Sequence, residues 1–326
     1  MSARTSCLST CCVVAAVAFS PVPSQAQEYP TKVVRLIVPT APGGTADFLA
    51  RLVAERVSDT FRQRVVVDNR PVANGIIGME AVIRSPADGY TIMSASMGNI
   101  AINPGLYGAR LPFDPDRDLA PVTQVANTSL VLVVHPSLPA RNIKELIALA
   151  KAKPGTLDYA HAGSGSIIHL NAALFASMAG IKITGVSFKG SATGRMAVVS
   201  GEVPIIIDGM ILALPLIQNG RVRALGVTSA QRSPILPAVP AIGEVVPGYV
   251  GNVWYGIFAP AATPQDIIAR LHAAVVGALK IPEIKTRLAD QGADVVGNSP
   301  AEFRAYIKSE IAKWTRVVKE TGAKAD

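Results

Sequence analysis

A glycine pair between an apolar strand and an amphipathic helix is the first feature of the sequence that could bind a ligand. Residues 42–47 (PGGTAD) join a predicted strand at 33–38 to a predicted helix that begins at Asp47. Glycine lets the backbone turn tightly and lets a ligand approach it closely. Because the first N–H groups of a helix lack intrahelical acceptors and lie at the positive end of its dipole, this turn predicts an anion site. Its candidate ligand-binding residues are Gly43, Gly44, Thr45 and Asp47.

A second glycine turn, residues 163–166 (GSGS), precedes a predicted helix at 167–179. Ser164 and Ser166 can donate hydroxyl hydrogen bonds beside the N-terminus of that helix. The same turn could instead cap the helix and bind nothing. His169 follows Ser166 by about one helical turn, so it could contact a ligand or hold the turn by bonding a carbonyl. The two turns together favour a ligand cleft between them.

An acidic residue, Asp208, ends a predicted buried strand at 205–208. Ligands in open α/β sheets bind outside the carboxyl ends of the strands, so Asp208 is a further binding candidate. If the ligand is an anion, we expect Asp208 to bond an amine, a hydroxyl, a water or the opposite loop. Asp47 could act only as a helix cap, or it could order the loop that touches the ligand.

The sequence argues against metal, cofactor and covalent chemistry. All three cysteines, Cys7, Cys11 and Cys12, lie in the N-terminal leader, and the scattered histidines match no metal spacing. The glycine turns also lack the spacings of a dinucleotide fingerprint or a P-loop. A serine hydrolase that uses Ser164 stays a remote alternative, because the pattern Gly-x-Ser-x-Gly is missing. We therefore expect no enzyme activity, no catalytic residue, no metal and no cofactor.

Alternating strands and helices must position these residues. The pattern predicts an α/β fold with a doubly wound sheet in each of two lobes, because apolar runs such as 33–38 are typical of parallel strands covered on both faces. Residues 42–47 and 94–99 both fall at the carboxyl edge of the first sheet. We assign 27–124 plus 250–326 to the first lobe and 125–249 to the second. Crossings near 122–127 and 247–252 would form a hinge that closes on a ligand.

The N-terminus predicts export. Residues 1–26 combine Arg4, an apolar run at 12–20 and small residues at 24–26, the pattern of a cleavable signal peptide and hence of a periplasmic protein. The apolar run is about half of the ~20 residues that a membrane span needs. The formal net charge is +8, but the basic residues are scattered and aromatic residues are 5% of the chain, so nucleic acid is not an expected partner.

Short motifs run through the whole chain after the leader. In order they are Tyr29-Pro30, Ile37-Val38-Pro39 with Pro42-Gly43-Gly44 and Asp47, Val67-Asp68-Asn69-Arg70-Pro71 with Gly75 and Gly78, Asp88-Gly89-Tyr90, Asn103-Pro104, Pro121-Val122-Thr123, Ala162-Gly163-Ser164-Gly165-Ser166 with His169, Phe188-Lys189-Gly190-Ser191-Ala192, Trp254-Tyr255-Gly256 and Thr263-Pro264. In this order and spacing they resemble the tripartite tricarboxylate transporter receptor family, also called the Bug family.

The resemblance implies a two-lobed periplasmic-binding-protein fold of the Venus-flytrap, type II-like kind. It implies a carboxylate ligand, held largely by backbone groups and waters from the two glycine loops. It adds Ser96 and Asn99 to the candidate site, and it matches Asp208 to a family acid. The chain departs from the family pattern at Thr40, at Val72 and Asn74 in a stretch that is usually richer in glycine, and at Arg195. The regions of Thr40 and Arg195 could alter the choice of ligand.

The leading hypothesis is a periplasmic solute-binding protein that captures a small organic acid and delivers it to the membrane permease subunits of a tripartite tricarboxylate-type transporter. The alternative is an extracytoplasmic sensor that presents its solute to a membrane signalling protein. We expect the protein to act as a monomer, and the sequence does not identify the acid.

Overall fold

A computed structural model describes residues 29–321, so the predicted signal peptide, residues 1–26, lies outside the described residues. The strands of the described range are β1 (Val34–Val38), β2 (Val65–Asn69), β3 (Thr91–Ser96), β4 (Leu119–Thr128), β5 (Leu130–Val134), β6 (Asp158–His161), β7 (Thr184–Ser187), β8 (Ile205–Gly209), β9 (Arg223–Val227), β10 (Val253–Pro260) and β11 (Ala293–Val295).

The α-helices of the same range are α1 (Thr45–Phe61), α2 (Ile76–Ile83), α3 (Asn103–Tyr107), α4 (Pro115–Asp118), α5 (Ile143–Ala152), α6 (Ile167–Ala179), α7 (Ser191–Ser200), α8 (Met210–Gln218), α9 (Gln265–Lys280), α10 (Pro282–Ala289) and α11 (Pro300–Thr321). A π-helical turn, Gly98–Ile102, leads into α3, and short 3₁₀ turns lie at Gly108–Arg110 and Ile242–Glu244. Among the described residues, no helix has both the length and the apolar character needed to cross a membrane.

The strands form two mixed sheets. The first has the order β11-β4-β10-β3-β1-β2, and the second has the order β7-β6-β8-β5-β9. In the first sheet β1 lies parallel to β2 and β3, and β10 runs antiparallel between β3 and β4. In the second sheet β6 lies parallel to β7 and β8, and β5 runs antiparallel between β8 and β9. Each sheet thus places three parallel strands beside one antiparallel strand.

Helices cover both sheets and define two lobes. The first lobe is the six-stranded sheet with α1, α2, α9 and α11 against it, and the second is the five-stranded sheet with α6, α7 and α8. The sequence pattern explains this packing, since α1 carries apolar residues on one face at helical spacing, and these are all buried: Leu49, Leu52, Val53 and Val57. The predicted two-lobed α/β fold is confirmed. The antiparallel strands within each sheet were not predicted.

The chain passes between the sheets at two adjacent points. Because β4 pairs with β10 along its whole length, the segment 122–127 belongs to the first sheet, and the chain leaves that sheet only at Ser129. The return lies between β9 and β10. Thr228 joins the two passages: its Oγ1 accepts from the Leu130 N–H at 2.7 Å and donates to the Gly251 carbonyl at 2.9 Å. Gly251 N–H donates back to the Thr228 carbonyl at 2.8 Å.

Both tryptophans of the chain lie in the core of the first lobe. Trp254 is on β10 and Trp314 is on α11, and both indole N–H groups donate to the buried carboxylate of Glu310, at 3.1 and 3.3 Å. A capping box opens α11, in which the Ser299 N–H donates to Glu302 Oε2 at 2.9 Å and the Glu302 N–H donates to Ser299 Oγ at 3.3 Å. These contacts fix α11 against the sheet.

Candidate functional site

A cleft of about 430 Å³ lies between the lobes, at the carboxyl ends of the central strands. Its volume falls in the range of about 300–1,000 Å³ that is usual for small-molecule sites. The first lobe contributes Pro39, Thr40, Ala41, Gly44, Thr45, Ala46, Pro71, Val72, Asn74, Ser96, Gly98, Asn99, Asn103 and Tyr255. The second lobe contributes Leu130, Ala162, Gly165, Ser166, Ile167, Ile168, Phe188, Lys189, Gly190, Ser191, Asp208 and Gly209.

The first glycine loop presents the start of α1 to the cleft. Gly44 is the N-cap residue with an extended backbone, and no side chain caps the helix. The N–H groups of the first turn therefore remain available at the positive end of the helix dipole. Gly44 and Thr45 line the cleft, as predicted for ligand-binding residues, whereas Gly43 does not. Gly43 has a φ of +77°, which only glycine adopts readily, so it serves the turn itself.

Asp47 lies behind this loop and not in the cleft wall. Its Oδ2 accepts from the Gly43 N–H at 3.0 Å and from Arg51 Nε at 3.1 Å, and its Oδ1 accepts from Asn69 Nδ2 at 3.0 Å. Burial raises the pKa of the Asp47 carboxyl, but the hydrogen bonds from Arg51, Gly43 and Asn69 outweigh burial and hold that pKa below its usual value. Of its two predicted roles, Asp47 performs the ordering of the loop.

An amide network supports the middle of the first-lobe wall. Asn99 Oδ1 accepts from the backbone N–H of Ser96 at 3.2 Å and from its hydroxyl at 2.9 Å. The side-chain amides of Asn99 and Asn103 both donate to the Asn74 carbonyl, at 3.1 and 3.3 Å. Ser96 and Asn99, which the family resemblance added to the site, both line the cleft. The hydrogen bonds between Ser96 and Asn99 fix this part of the wall, and they occupy the Ser96 hydroxyl proton and Asn99 Oδ1.

The second glycine loop faces the first across the cleft. Ser166 caps α6 by accepting from the His169 N–H at 3.3 Å, and it lines the cleft. Ser164 and His169 do not line it. His169 Nδ1 accepts from the Gly165 N–H at 2.9 Å, so this side chain holds the turn. His169 thus has the loop-holding role that the sequence allowed, through a bond from a backbone N–H to its Nδ1.

The same hydrogen bond bears on the hydrolase alternative. A general base must offer a free acceptor nitrogen to the nucleophile's hydroxyl. Nδ1 of His169 already accepts from Gly165, and the side chain of Ser164 lies outside the cleft wall. Among the described residues there is also no group of His, Cys, Asp and Glu that could hold a metal ion.

Asp208 lines the second-lobe wall but is already paired. Its side chain is 1% exposed, its Oδ2 accepts from Arg195 Nε, and its Oδ1 accepts from the Gly209 N–H at 2.8 Å. The partner of Asp208 is therefore a guanidinium of its own lobe, which was not among the partners expected from the sequence. Tyr255 approaches from the opposite lobe, where burial raises the pKa of its phenol while the Thr45 hydroxyl hydrogen bonds to it.

Several cleft residues escaped sequence reasoning. Five residues line the cleft although they were not among the predicted site residues: Thr40, Asn74, Lys189, Ser191 and Tyr255. All five belong to, or stand beside, the motifs shared with the family, which was the signal that could have found them. Lys189 and Asp208 are the charged residues among the described lining, and Arg195 offsets the charge of Asp208. The wall therefore carries a net positive charge.

Glycines permit the lobes to meet across the cleft. A Cβ atom on Gly209 would lie 2.3 Å from Thr45 Oγ1, and one on Gly165 would lie 2.1 Å from Leu106 Cδ2. Asn74 of the first lobe donates through Nδ2 to the Ser164 carbonyl of the second at 2.8 Å. The structure is thus a closed arrangement in which both glycine loops touch the opposite lobe.

Two α/β lobes that close over a cleft between them define the class of two-lobed solute-binding proteins. A family model described as "Tripartite tricarboxylate transporter family receptor" matches residues 49–323, and the chain belongs to that family. It is 38% identical over 304 residues to Protein BugT of Bordetella pertussis, covering 93% of each chain.

Solved structures agree with this assignment. Rpa4515 of R. palustris, solved with adipate, is 37% identical, with a TM-score of 0.88 over 92% of this chain and 100% of that one. MatC from Rhodopseudomonas palustris, solved with bound malate, is 31% identical, with a TM-score of 0.84 over 89% of this chain and 100% of that one. The predicted family is confirmed, and so is the prediction of a receptor rather than an enzyme.

Proposed function

We propose that this protein is a periplasmic receptor that captures a short dicarboxylic acid in the interlobe cleft and delivers it to the membrane permease of a tripartite tricarboxylate-type transporter. The ligand contacts Gly44 and Thr45 at the start of α1 and Ser166 at the start of α6. Ser96 and Asn99 complete the first-lobe wall, and Asp208 the second. Four further residues lie behind the cleft wall and fix the two glycine loops: Gly43, Asp47, Ser164 and His169.

The observation that carries this proposal is the pairing of two helix starts across one closed cleft. Each helix directs N–H groups and the positive end of its dipole toward the same volume. Lys189 adds a positive charge, and the Arg195–Asp208 pair adds none. A ligand with an anionic group at each end suits two facing anion sites better than a monoacid. The adipate and malate seen in two family structures are both dicarboxylates, which supports the same class.

Export completes the proposal. The family's receptors are periplasmic, and residues 1–26 carry the signal-peptide pattern described above. Expression of the full chain in a Gram-negative host should yield periplasmic protein whose N-terminus, determined by mass spectrometry, is Gln27. Cytoplasmic protein that retains residues 1–26 would contradict this part.

A ligand screen tests the receptor function. A solute that binds only the folded state raises the melting temperature, with about 2.7 kcal/mol of added stability at a hundredfold excess over Kd. We expect dicarboxylates such as malate and adipate to shift the melting curve of the mature protein, followed by calorimetric titration for Kd. Sugars and diamines of similar length are the controls. A shift by those controls alone would rule out the anion cleft.

A further inference from the structure

A buried ion pair joins Asp208, in the second-lobe wall of the cleft, to Arg195 behind that wall. Asp208 lines the cleft at the end of β8, and Arg195 approaches it from α7. Nε of Arg195 donates to Oδ2 of Asp208, while the Gly209 N–H occupies Oδ1. The Arg195 side chain is 12% exposed and is not part of the cleft wall.

This geometry decides what Asp208 can offer a ligand. An unpaired carboxylate in the wall would attract an ammonium group and repel a carboxylate. Because the Arg195 guanidinium lies against Asp208, its positive charge offsets both the attraction for an ammonium group and the repulsion of a carboxylate. The remaining charge in the described lining is Lys189, which also disfavours a cationic group.

We infer that Arg195 is a specificity-determining residue: by neutralising Asp208, it makes the cleft accept dicarboxylic acids that lack an amino group and reject the matching amino acids. This inference rests on the proposed function of the cleft. It assigns the selecting role to a residue that touches the ligand only through Asp208. A purely structural ion pair would leave the ranking of ligands unchanged.

A charge series tests the inference with matched ligand pairs. Malate and aspartate differ by a hydroxyl against an ammonium group, and adipate and 2-aminoadipate differ by the ammonium alone. Calorimetry at pH 8 would compare the wild type with Arg195→Met, Asp208→Asn and the double variant. Arg232→Met, which breaks an exposed pair with Glu244, is the control for loss of an arginine.

We expect the preference for the dicarboxylate over the amino acid to follow the charge of the cleft wall. Arg195→Met should lower dicarboxylate affinity and reduce the preference over the amino acid, each by roughly tenfold or more, because it exposes a like charge. Asp208→Asn should strengthen the preference for the dicarboxylate over the amino acid, because it leaves the charge of Arg195 unopposed. The double variant and Arg232→Met should keep the wild-type preference. Circular dichroism would verify that each variant is folded.

The possible contrary results separate a failure of the Arg195 inference from a failure of the proposed receptor function. A folded Arg195→Met protein with the wild-type preference overturns the inference, as does a wild type that binds aspartate as tightly as malate; both leave the receptor function standing. If Arg195→Met does not fold, an Asp208→Asn protein whose preference for the dicarboxylate is no stronger than that of the wild type overturns the inference. A wild type that binds none of the four acids removes the proposed function, and the inference with it.

Discussion

At the scale of single residues, Asp47 acts on the cleft without lining it. Its carboxylate ties the Gly43 N–H, Arg51 and Asn69 together, and it is only 5% exposed. The loop that presents the start of α1 therefore depends on a residue that need not touch the ligand. An ordered loop spares the ligand the cost of ordering it, which improves affinity.

Asp47→Asn should weaken both the fold and the site. We expect the free energy of unfolding to fall by about 1–3 kcal/mol, since hydrogen bonds to a charged group are replaced by weaker ones. Urea denaturation measures this change. Asp59→Asn, on the exposed face of the same helix, is the control and should be nearly neutral.

The difference in unfolding free energy between the wild type and Asp47→Asn should depend on pH. Because the pKa of Asp47 is lowered in the folded protein, its contribution is present above the ordinary value of about 4 and is lost as the pH falls through the lower folded value. The gap in unfolding free energy between the wild type and Asp47→Asn should thus shrink below about pH 4. A gap that is constant from pH 7 to pH 3 would contradict the role assigned to the carboxylate.

Gly44→Val should block closure while sparing the fold. The backbone of Gly44 has a φ of −91°, so a side chain causes no strain there, but its Cβ would lie 3.1 Å from Ser191 Oγ of the opposite lobe. We expect ligand affinity to fall by roughly tenfold or more, since overpacking a contact costs about 1–3 kcal/mol. Gly277→Val on α9, where a Cβ meets nothing within 4 Å, is the matched control. Equal affinities would remove the first loop from the site.

At the scale of elements, the turn before α2 joins the two lobes. Asn74 has a φ of +50°, and its Nδ2 donates to Tyr107 at 3.0 Å and to the Ser164 carbonyl at 2.8 Å. Its own carbonyl accepts from Asn99 and Asn103. A residue at this turn thus couples the amide network of the first lobe to the glycine loop of the second.

Asn74→Gly should loosen the closed form. Glycine keeps the left-handed backbone of the turn but removes both side-chain hydrogen bonds. We expect Kd to rise about threefold to tenfold, mostly through faster dissociation in stopped-flow measurements, since a hydrogen bond contributes about 0.5–1.5 kcal/mol. Ala73→Gly is the control, because Ala73 is exposed in the same turn at a φ of +53°. An unchanged dissociation rate for Asn74→Gly would mean that this contact does not hold the lobes together.

Local patterns predicted most strands of the described range, but β4 and β11 escaped. The sequence predicts a strand when apolar residues run or alternate, and β1, β5 and β8 follow that rule. β4 carries Pro121, Thr123, Gln124 and Asn127, which read as a connecting segment. Distant partners satisfy these polar groups: Thr123 Oγ1 donates to the Asn298 carbonyl at 2.7 Å, 175 residues along the chain. Such partners cannot be read from neighbouring residues.

At the scale of the whole molecule, the two glycine loops could be predicted but their connections could not. Each loop is a local strand–turn–helix pattern, so sequence spacing reveals it. The pairing of Arg195 with Asp208 joins two consecutive elements, α7 and β8, whose relative position depends on the packing of the second lobe. The approach of Tyr255 arises from β10, which runs antiparallel between β3 and β4. The adjacent passages tied by Thr228 have the same origin. Two neighbouring passages suit rotation of one lobe against the other.

The position of the two tryptophans allows fluorescence to follow the unfolding of one lobe. Trp254 and Trp314 are the two tryptophans of the chain, and both lie buried in the first lobe. Tryptophan emission therefore reports the melting of that lobe alone, while far-ultraviolet circular dichroism averages over both. Denaturation curves from the two signals should separate if the lobes melt independently and coincide if they melt as one cooperative unit. The native sequence thus contains its own spectroscopic label for one half of the molecule.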